Sequence, residues 1–294
     1  MLKQRIITAL ILLPAVLLLL FSVPLNYFAA VILVVVYLMA LEWAKLSGIK
    51  KSINCTLFAL FISFVNLAIW YFGESIVVWP SLSWPHHIKM DFPLLFLFIS
   101  LFFVLLAVLV VMSFSKNNRW WQGSLFKGVF GLVLLPNLFI SFISIRNIGY
   151  AGGDFIYGGS LLFFMLMLIW AADTGAFITG KLFGKHKLTK VSPNKTWEGV
   201  IGGLFLSMLI GWFGISALEL QVSNNVNYLL AILFLAIISV FGDLFESALK
   251  RVADIKDSGN LLPGHGGLLD RLDSTITVAP LFYLSFSYFE WFNA

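Results

Sequence analysis

The residues that could do chemistry lie in four polar segments of the second half of the chain. The last of these segments, "LLPGHGGLLDRLDS" (261–274), gathers glycines, a histidine, an arginine and two aspartates within an otherwise apolar sequence. The glycines beside His265 let the backbone approach a ligand closely. Asp270 and Asp273 are spaced to share one face at the start of the last predicted helix. Carboxylates suit a divalent cation, and basic side chains suit the phosphates that accompany it.

The wider stretch from Ser247 to Asp273 mixes both signs of charge. A lipid-surface patch would be mostly basic, whereas a site for Mg²⁺ and polyphosphate needs carboxylates as well as cations. The alternative for Asp254 and Asp257 is that they are solvated loop residues. The stretch contains four basic residues and four aspartates: Lys250, Arg251, Lys256, Arg271, Asp254, Asp257, Asp270 and Asp273.

A second segment, "FGDLFESALKR" (241–251), predicts a helix face that carries charged groups. Asp243, Glu246, Ser247 and Lys250 follow helical spacing, so they share one face. Carboxylates on a span that approaches a membrane surface, followed by basic residues, indicate metal and phosphate binding. The alternative is an internal Glu246–Lys250 ion pair, which could coexist with that role.

A third segment, "WAADTGAF" (170–177), places Asp173 inside an apolar run. An ionisable residue within a membrane span is costly and therefore indicates function. The alternative is a structural aspartate that is paired with a basic residue. The overlapping "GAFITGKL" nearly matches the phosphate-loop pattern, but Leu182 occupies the hydroxyl position and no strand precedes it. A phosphate loop is therefore excluded.

The fourth segment, "SPNKTWEG" (192–199), predicts the start of a helix. Thr196 is a suitable N-cap, and Glu198 falls in the first turn, where the helix dipole favours an acid. A helix N-terminus with Lys195 beside it is a natural phosphate site. The lysine-rich loop that leads into this segment could alternatively be a lipid-surface patch.

The elements that position these segments are predicted to be membrane-spanning helices. The chain is 60% hydrophobic and 11% charged, with a mean hydropathy of +0.97. A soluble domain would contain about 25% charged residues. The composition excludes disordered and fibrous proteins, and helices satisfy backbone polar groups within hydrocarbon. We therefore predict an all-α integral membrane protein with about nine transmembrane helices, near residues 6–22, 26–44, 53–73, 93–114, 126–146, 159–181, 197–218, 227–249 and 275–292.

The basic residues predict the orientation of these helices. If the spans alternate from a cytoplasmic N-terminus, every lysine and arginine except Lys89 and Arg146 falls on the cytoplasmic side, as the positive-inside rule expects. All four polar segments then face the cytoplasm. The net charge of +5 suits anionic membrane lipids. Nucleic acid is not an expected partner, because the basic residues lie in short loops between apolar runs.

The chain divides into two predicted regions. Residues 1–150 form about five N-terminal transmembrane helices with no specific motif, and residues 151–294 form a catalytic transmembrane region that carries all four segments. The first apolar run is similar to a signal peptide but lacks a small-x-small cleavage site, so it is predicted to be a retained helix. Cys55 is the only cysteine, which excludes an internal disulfide.

The stretch from Ser247 to Asp273 resembles the signature of phosphatidate cytidylyltransferases, also called CDP-diacylglycerol synthases. "WAADTGAF" and "SPNKTWEG" are similar to further segments of that family and occur in the expected order, whereas residues 1–150 carry no family motif. Each fixed position of the signature is occupied, by Ser247, Lys250, Arg251, Lys256, Asp257, Gly259, Pro263, His265, Gly266, Gly267, Asp270, Arg271 and Asp273.

The resemblance implies transfer of a cytidylyl group from CTP to phosphatidic acid in phospholipid biosynthesis. It implies Mg²⁺ as cofactor, with Asp243 and Asp270 as ligands and with Asp273 and Asp173 close by. It also implies a bacterial inner membrane, with the lipid entering sideways from the inner leaflet. The residues expected to neutralise phosphates are Lys195, Lys250, Arg251 and Arg271, those expected to orient them are Ser247 and His265, and those expected to hold the nucleotide are Asp173, Ser192, Lys195, Thr196 and Glu198.

Two other functions stay open at this point. A related cytidylyltransferase could use the same site with a different lipid phosphate, since the head-group chemistry would be unchanged. A multi-helix secondary transporter would also contain buried polar groups, but transporters place them near the midplane between repeats. Here the polar residues gather at one face, and no repeat is visible. The assembly is undecided, with a homodimer as one option.

Overall fold

The computed structural model describes residues 2–72, 92–114, 120–150 and 153–292. Within these ranges the fold is all-helical, with two isolated β-bridges and no strand. The predicted all-α class is confirmed. The helices are α1 (Leu2–Phe21), α2 (Leu25–Leu46), α3 (Ser52–Phe72), α4 (Phe92–Met112), α5 (Ser124–Asn147), α6 (Tyr157–Phe183), α7 (Trp197–Ala217), α8 (Asn225–Val252) and α9 (Leu269–Tyr288).

Seven of the described helices, α2 to α8, are long and apolar enough to cross a membrane. A multi-pass membrane protein is therefore confirmed, whereas nine crossings and a cytoplasmic N-terminus stay predictions. Helix α9 differs because it begins with charged residues and then runs through the middle of the bundle. Every residue from Ser274 to Leu284 is buried, and α9 packs against α8, α5, α4, α6 and α2.

The predicted boundaries agree with the helices to within a few residues, except at the last helix. Residues 275–292 were predicted from apolarity alone, but α9 begins at Leu269 and ends at Tyr288. Its first turn contains Asp270, Arg271 and Asp273, which an apolar window excludes. At the other end, Glu290 has a positive φ of 54°, which is incompatible with a continuing helix.

Helices α6 and α7 form the most extensive helix pair of the described chain. Glycines at their interface allow the two backbones to approach closely. A Cβ atom on Gly175 would lie 2.7 Å from the carbonyl oxygen of Gly202, and one on Gly199 would lie 2.9 Å from that of Ala176. This packing places the polar end of α6, which carries Asp173, against the start of α7.

The functional segments gather at one end of the bundle, which we call the site end. It is defined by the site loop, residues 253–268 between α8 and α9. The hydroxyl group of Thr8 in α1 donates a hydrogen bond to the Pro263 carbonyl in this loop (2.9 Å). Near the same end, the Lys127 ammonium at the start of α5 donates to the Leu46 carbonyl at the end of α2 (3.0 Å).

Arg146 lies at the opposite end of the bundle, as its predicted position on the other side requires. Its buried guanidinium donates hydrogen bonds to the carbonyls of Phe155 (2.8 Å) and Val23 (3.3 Å). Lys89, the other predicted exception, lies outside the described residues.

Candidate active site

The link between α6 and α7 (184–196) is shaped by the residues that were predicted to hold the nucleotide. The Thr196 hydroxyl accepts a hydrogen bond from the Gly199 amide (3.2 Å), which confirms Thr196 as the N-cap of α7. The Ser192 carbonyl accepts from the Lys195 amide (3.1 Å). Ser192 and Thr196 thus set the position of Lys195, and their contact with a nucleotide stays a prediction.

Glu198 lies in the first turn of α7, as predicted, and folds back onto the link. Its carboxylate accepts hydrogen bonds from the backbone amides of Lys185 and His186 (both 3.2 Å). A carboxylate oxygen also lies 2.6 Å from Nδ1 of the exposed His186 ring. Glu198 therefore stabilises the link, while a role in nucleotide binding stays a prediction.

Lys195 connects this link to α8. Its ammonium lies 2.5 Å from Oδ2 of Asp243, and the two side chains are 28% and 29% exposed. The other carboxylate oxygen of Asp243 accepts a hydrogen bond from the Ser247 hydroxyl (3.3 Å), so the predicted shared helix face is confirmed. The pair is accessible enough to contact a ligand.

Two further carboxylates lie near this ion pair. Asp173 in α6 and Asp273 in α9 both interact electrostatically with Asp243 and with Lys195. Gly242 explains the approach of α8 to α9, because a Cβ atom there would lie 3.1 Å from the Asp273 carbonyl oxygen. Three helices thus contribute three carboxylates that interact with one another, of which Asp243 is the one paired with Lys195. Asp173 interacts electrostatically with Lys195 and Arg271, so its functional role and its alternative as a structural partner of a basic residue both stay predictions.

A second, more buried ion-pair group lies deeper at the site end. The Lys250 ammonium lies 2.5 Å from Glu246 and 2.6 Å from Oδ1 of Asp270. The side chains of Lys250, Glu246 and Asp270 are 15%, 3% and 8% exposed. The alternative of a Glu246–Lys250 pair is therefore confirmed. Oδ2 of Asp270 accepts from the amides of Ser258 (2.9 Å) and Gly267 (2.8 Å), so Asp270 also holds the site loop.

Two exposed arginines at the site end bind backbone carbonyls. Arg271 donates from Nε and Nη2 to the His265 carbonyl (3.0 and 2.8 Å). Arg251 donates from Nε to the Val191 carbonyl (3.3 Å). Both arginines are exposed. Nδ1 of His265 is buried without a hydrogen-bond partner in the described part of the chain, and Gly266 has a φ of +82°, which favours glycine.

One carboxylate at the site end was missed by the sequence reasoning. Glu42 in α2 is 6% exposed, and it accepts hydrogen bonds from the Ser258 hydroxyl (3.1 Å) and from the amides of Leu268 (3.1 Å) and Leu269 (2.8 Å). The signal that could have found it is the one used for Asp173, namely an ionisable residue within an apolar run.

The acidic side chains fit Mg²⁺ in their chemistry. Mg²⁺ prefers carboxylate oxygens together with phosphates and water, and Asp243 interacts electrostatically with the further carboxylates Asp173 and Asp273. As the side chains stand, no three potential ligands of the described residues are close enough to hold a metal ion. Asp243 fits a ligand role better than Asp270, whose oxygens already accept three hydrogen bonds.

An apolar cavity of about 1040 Å³ adjoins the α6–α7 link. It lies between α4, α7, α8 and residues 187–193. Leu204 and Val240 contribute to its apolar walls, while Lys187 and Lys190 contribute cations from the link. Val191, whose carbonyl is bound by Arg251, also lines it. An apolar chamber with cations at one side suits an acidic lipid.

The chain is similar to known proteins along nearly its whole length. The model of a family described as "Cytidylyltransferase family" matches residues 3–289. The phosphatidate cytidylyltransferase of Haemophilus influenzae is 35% identical over 298 residues, which cover 99% of each chain. That of Pseudomonas aeruginosa is 36% identical over 283 residues, or 96% of each chain. That of Bacillus subtilis is 42% identical over 167 residues, which cover 54% of this chain and 59% of the relative. With a match over nearly its whole length, the chain belongs to the cytidylyltransferase family.

Proposed function

We propose that this protein transfers the cytidylyl group of CTP to phosphatidate and releases pyrophosphate, which makes CDP-diacylglycerol for phospholipid synthesis. The observation that carries the proposal is the Lys195–Asp243 pair, with Asp173 and Asp273 interacting electrostatically with both, near an apolar cavity that is large enough for part of a lipid. The names of the full-length relatives support the same substrate.

The reaction needs charge neutralisation more than it needs a base. A phosphate oxygen of phosphatidate forms a bond to the α-phosphorus of CTP, while the bond from that phosphorus to the bridging oxygen breaks and its electron pair leaves with pyrophosphate. The lipid phosphate is already anionic at neutral pH, so no strong general base is required. The barrier lies in bringing two anions together, which positioned cations lower.

The residues of the site divide this task. Bound Mg²⁺, held by Asp243 with Asp173 and Asp273 close by, would supply positive charge at the phosphate oxygens; a ligand role for Asp270 stays a prediction. Lys195, which is paired with Asp243, would neutralise the negative charge of a phosphate group. Arg251 uses only Nε in its bond to Val191, so its two terminal nitrogens can face an anion. Lys250 acts indirectly by holding Asp270 in place.

The apolar cavity supports a lipid substrate that enters from the side. Acyl chains would occupy the space between α4, α7 and α8, while Lys187 and Lys190 would attract the acidic head group towards Lys195. We place the protein in a bacterial inner membrane with the site end facing the cytoplasm, where CTP is available. A homodimer stays a prediction.

The proposal is tested with detergent-purified protein, phosphatidate, Mg²⁺ and radiolabelled CTP. We expect label in the organic phase as CDP-diacylglycerol, and a loss of at least about 100-fold for Asp243→Asn. Asp154→Asn is the matched control, because Asp154 caps the start of α6 at the opposite end of the bundle through its bonds to the Ile156 and Tyr157 amides. Label that enters only a different lipid phosphate would replace phosphatidate as the substrate. No labelled lipid from any phosphate acceptor, with well-folded protein, would overturn the function and return the transporter to consideration.

A further inference from the structure

We propose that Glu42, in the half of the chain that carries no family motif, is a positioning residue for the active site. It holds the site loop and the start of α9 in the arrangement that the reaction needs. This inference rests on the proposed function of the site, and Glu42 itself contacts none of the side chains that we assign to the substrates.

The hydrogen bonds of the site loop are divided between Glu42 and Asp270. Ser258 donates its hydroxyl to Glu42 and its backbone amide to Asp270. The backbone amides of three consecutive residues are divided in the same way, since Gly267 donates to Asp270 whereas Leu268 and Leu269 donate to Glu42. Two carboxylates from distant parts of the chain therefore bind the same two parts of the loop, namely Ser258 and the residues that lead into α9.

Two glycines of the loop leave the space that Glu42 occupies. A Cβ atom on Gly259 would lie 2.8 Å from the carboxyl carbon of Glu42, and one on Gly267 would lie 2.7 Å from Oε1. Both distances are shorter than real Cβ contacts. Glu42, which lies outside the signature stretch, thus explains the glycine at position 259, and together with the Ser258 hydroxyl it explains the glycine at position 267.

Glu42 also replaces the missing cap of α9. The first amides of a helix have no partner within the helix, and the N-cap residue Leu268 supplies no side-chain hydrogen bond. The Glu42 carboxylate accepts from two of these amides and places a negative charge at the positive end of the helix dipole. It is buried and makes no ion pair within the described residues, so these bonds offset the cost of burying its charge.

Through these hydrogen bonds, the position of Glu42 determines the position of the first turn of α9. The first turn of α9 carries Asp270, Arg271 and Asp273, and a small displacement of reacting groups can cost about 100-fold in rate. Removing a bond from Glu42 would shift this turn relative to Asp243 and Lys195 without removing any group that contacts the substrates.

The test compares Glu42→Gln and Glu42→Asp with Lys127→Met. Glutamine keeps the size of Glu42 but turns an NH₂ group towards a backbone N–H, whereas aspartate keeps the charge. Lys127→Met is the matched control, because Lys127 is a buried charged residue that binds the end of α2 at Leu46 and not the site loop. We expect Glu42→Gln to lower kcat by at least about tenfold, with a smaller change in the KM for CTP and with partial recovery in Glu42→Asp.

Hydrogen exchange at the Leu268 and Leu269 amides supplies a readout that does not depend on activity. We expect faster exchange there in Glu42→Gln and exchange close to that of the wild type in Lys127→Met. Unchanged exchange and unchanged kcat in Glu42→Gln would overturn the proposal. Equal losses of kcat in Glu42→Gln and Lys127→Met would also overturn it, if both losses paralleled a fall in the thermal unfolding temperature. An inactive wild-type protein would instead count against the proposed function, and the exchange result would still decide the role of Glu42.

Discussion

The ammonium group of Lys195 lies 2.5 Å from Oδ2 of Asp243, and this ion pair joins the α6–α7 link to α8. Because both side chains are partly exposed, the ion pair contributes little to the stability of the fold. We expect its main role to be in binding, since it places a cation and a carboxylate side by side where a ligand can reach them. We expect Lys195→Gln to lower the rate of cytidylyl transfer by roughly 100-fold, and Lys195→Arg to retain more activity.

The control for this prediction is Lys185→Gln in the same link. The Lys185 side chain is exposed, and its backbone amide donates a hydrogen bond to Glu198. Steady-state assays with radiolabelled CTP would measure both variants. Equal activity of Lys195→Gln and Lys185→Gln would contradict a special role for Lys195.

The buried ion pairs of Lys250 lead to a prediction about stability. Removing one partner of a buried pair leaves an uncompensated charge, which typically costs about 3–5 kcal/mol. We expect Lys250→Met to lower the thermal unfolding temperature clearly, because Glu246 and Asp270 would both lose their cation. Thermal unfolding in detergent would measure the effect. Recovery is expected in Lys250→Met combined with Glu246→Gln, and an unfolding temperature equal to that of the wild type for the single variant would contradict the prediction.

The dependence on Mg²⁺ can be assigned to the carboxylate group around Asp243. We expect a chelator to abolish activity and added Mg²⁺ to restore it. Asp243→Glu keeps the charge but displaces the carboxylate, so the Mg²⁺ concentration for half-maximal activity should rise by at least about tenfold. A titration of activity against free Mg²⁺ would measure this, with Asp154→Asn unchanged. An unaltered Mg²⁺ requirement in Asp243→Glu would argue against Asp243 as a ligand.

The apolar cavity predicts a change in lipid affinity when it is filled. Leu204 lines the cavity, so Leu204→Trp should exclude acyl chains and raise the KM for long-chain phosphatidate by roughly tenfold or more. The KM for CTP should change little. Leu209→Trp is the control, because Leu209 lies in the same helix and is 40% exposed. Similar KM values for the two variants with long-chain phosphatidate would show that the lipid binds elsewhere.

Much of this architecture could be predicted from local features of the sequence. Apolar runs of bilayer length indicated the helices, and helical spacing placed Asp243, Ser247, Glu246 and Lys250 on one face, as their contacts confirm. Capping chemistry indicated that α7 begins after Thr196. Apolar runs, helical spacing and helix capping all depend on interactions between residues that are close together in the sequence, so the sequence alone is enough to identify them.

The remaining relationships were decided only by the tertiary structure. Ser258 and Glu42 are 216 residues apart, and no periodicity or local motif relates such positions. Helix α9 begins at Leu269, before the predicted residue 275, and this start also depends on a distant residue, since Glu42 accepts hydrogen bonds from the amides of Leu268 and Leu269. Sequence chemistry thus determined which residues could bind metal and phosphate. Helix packing decided which carboxylates hold the loop and which face a ligand, because that choice depends on donors supplied by distant parts of the chain.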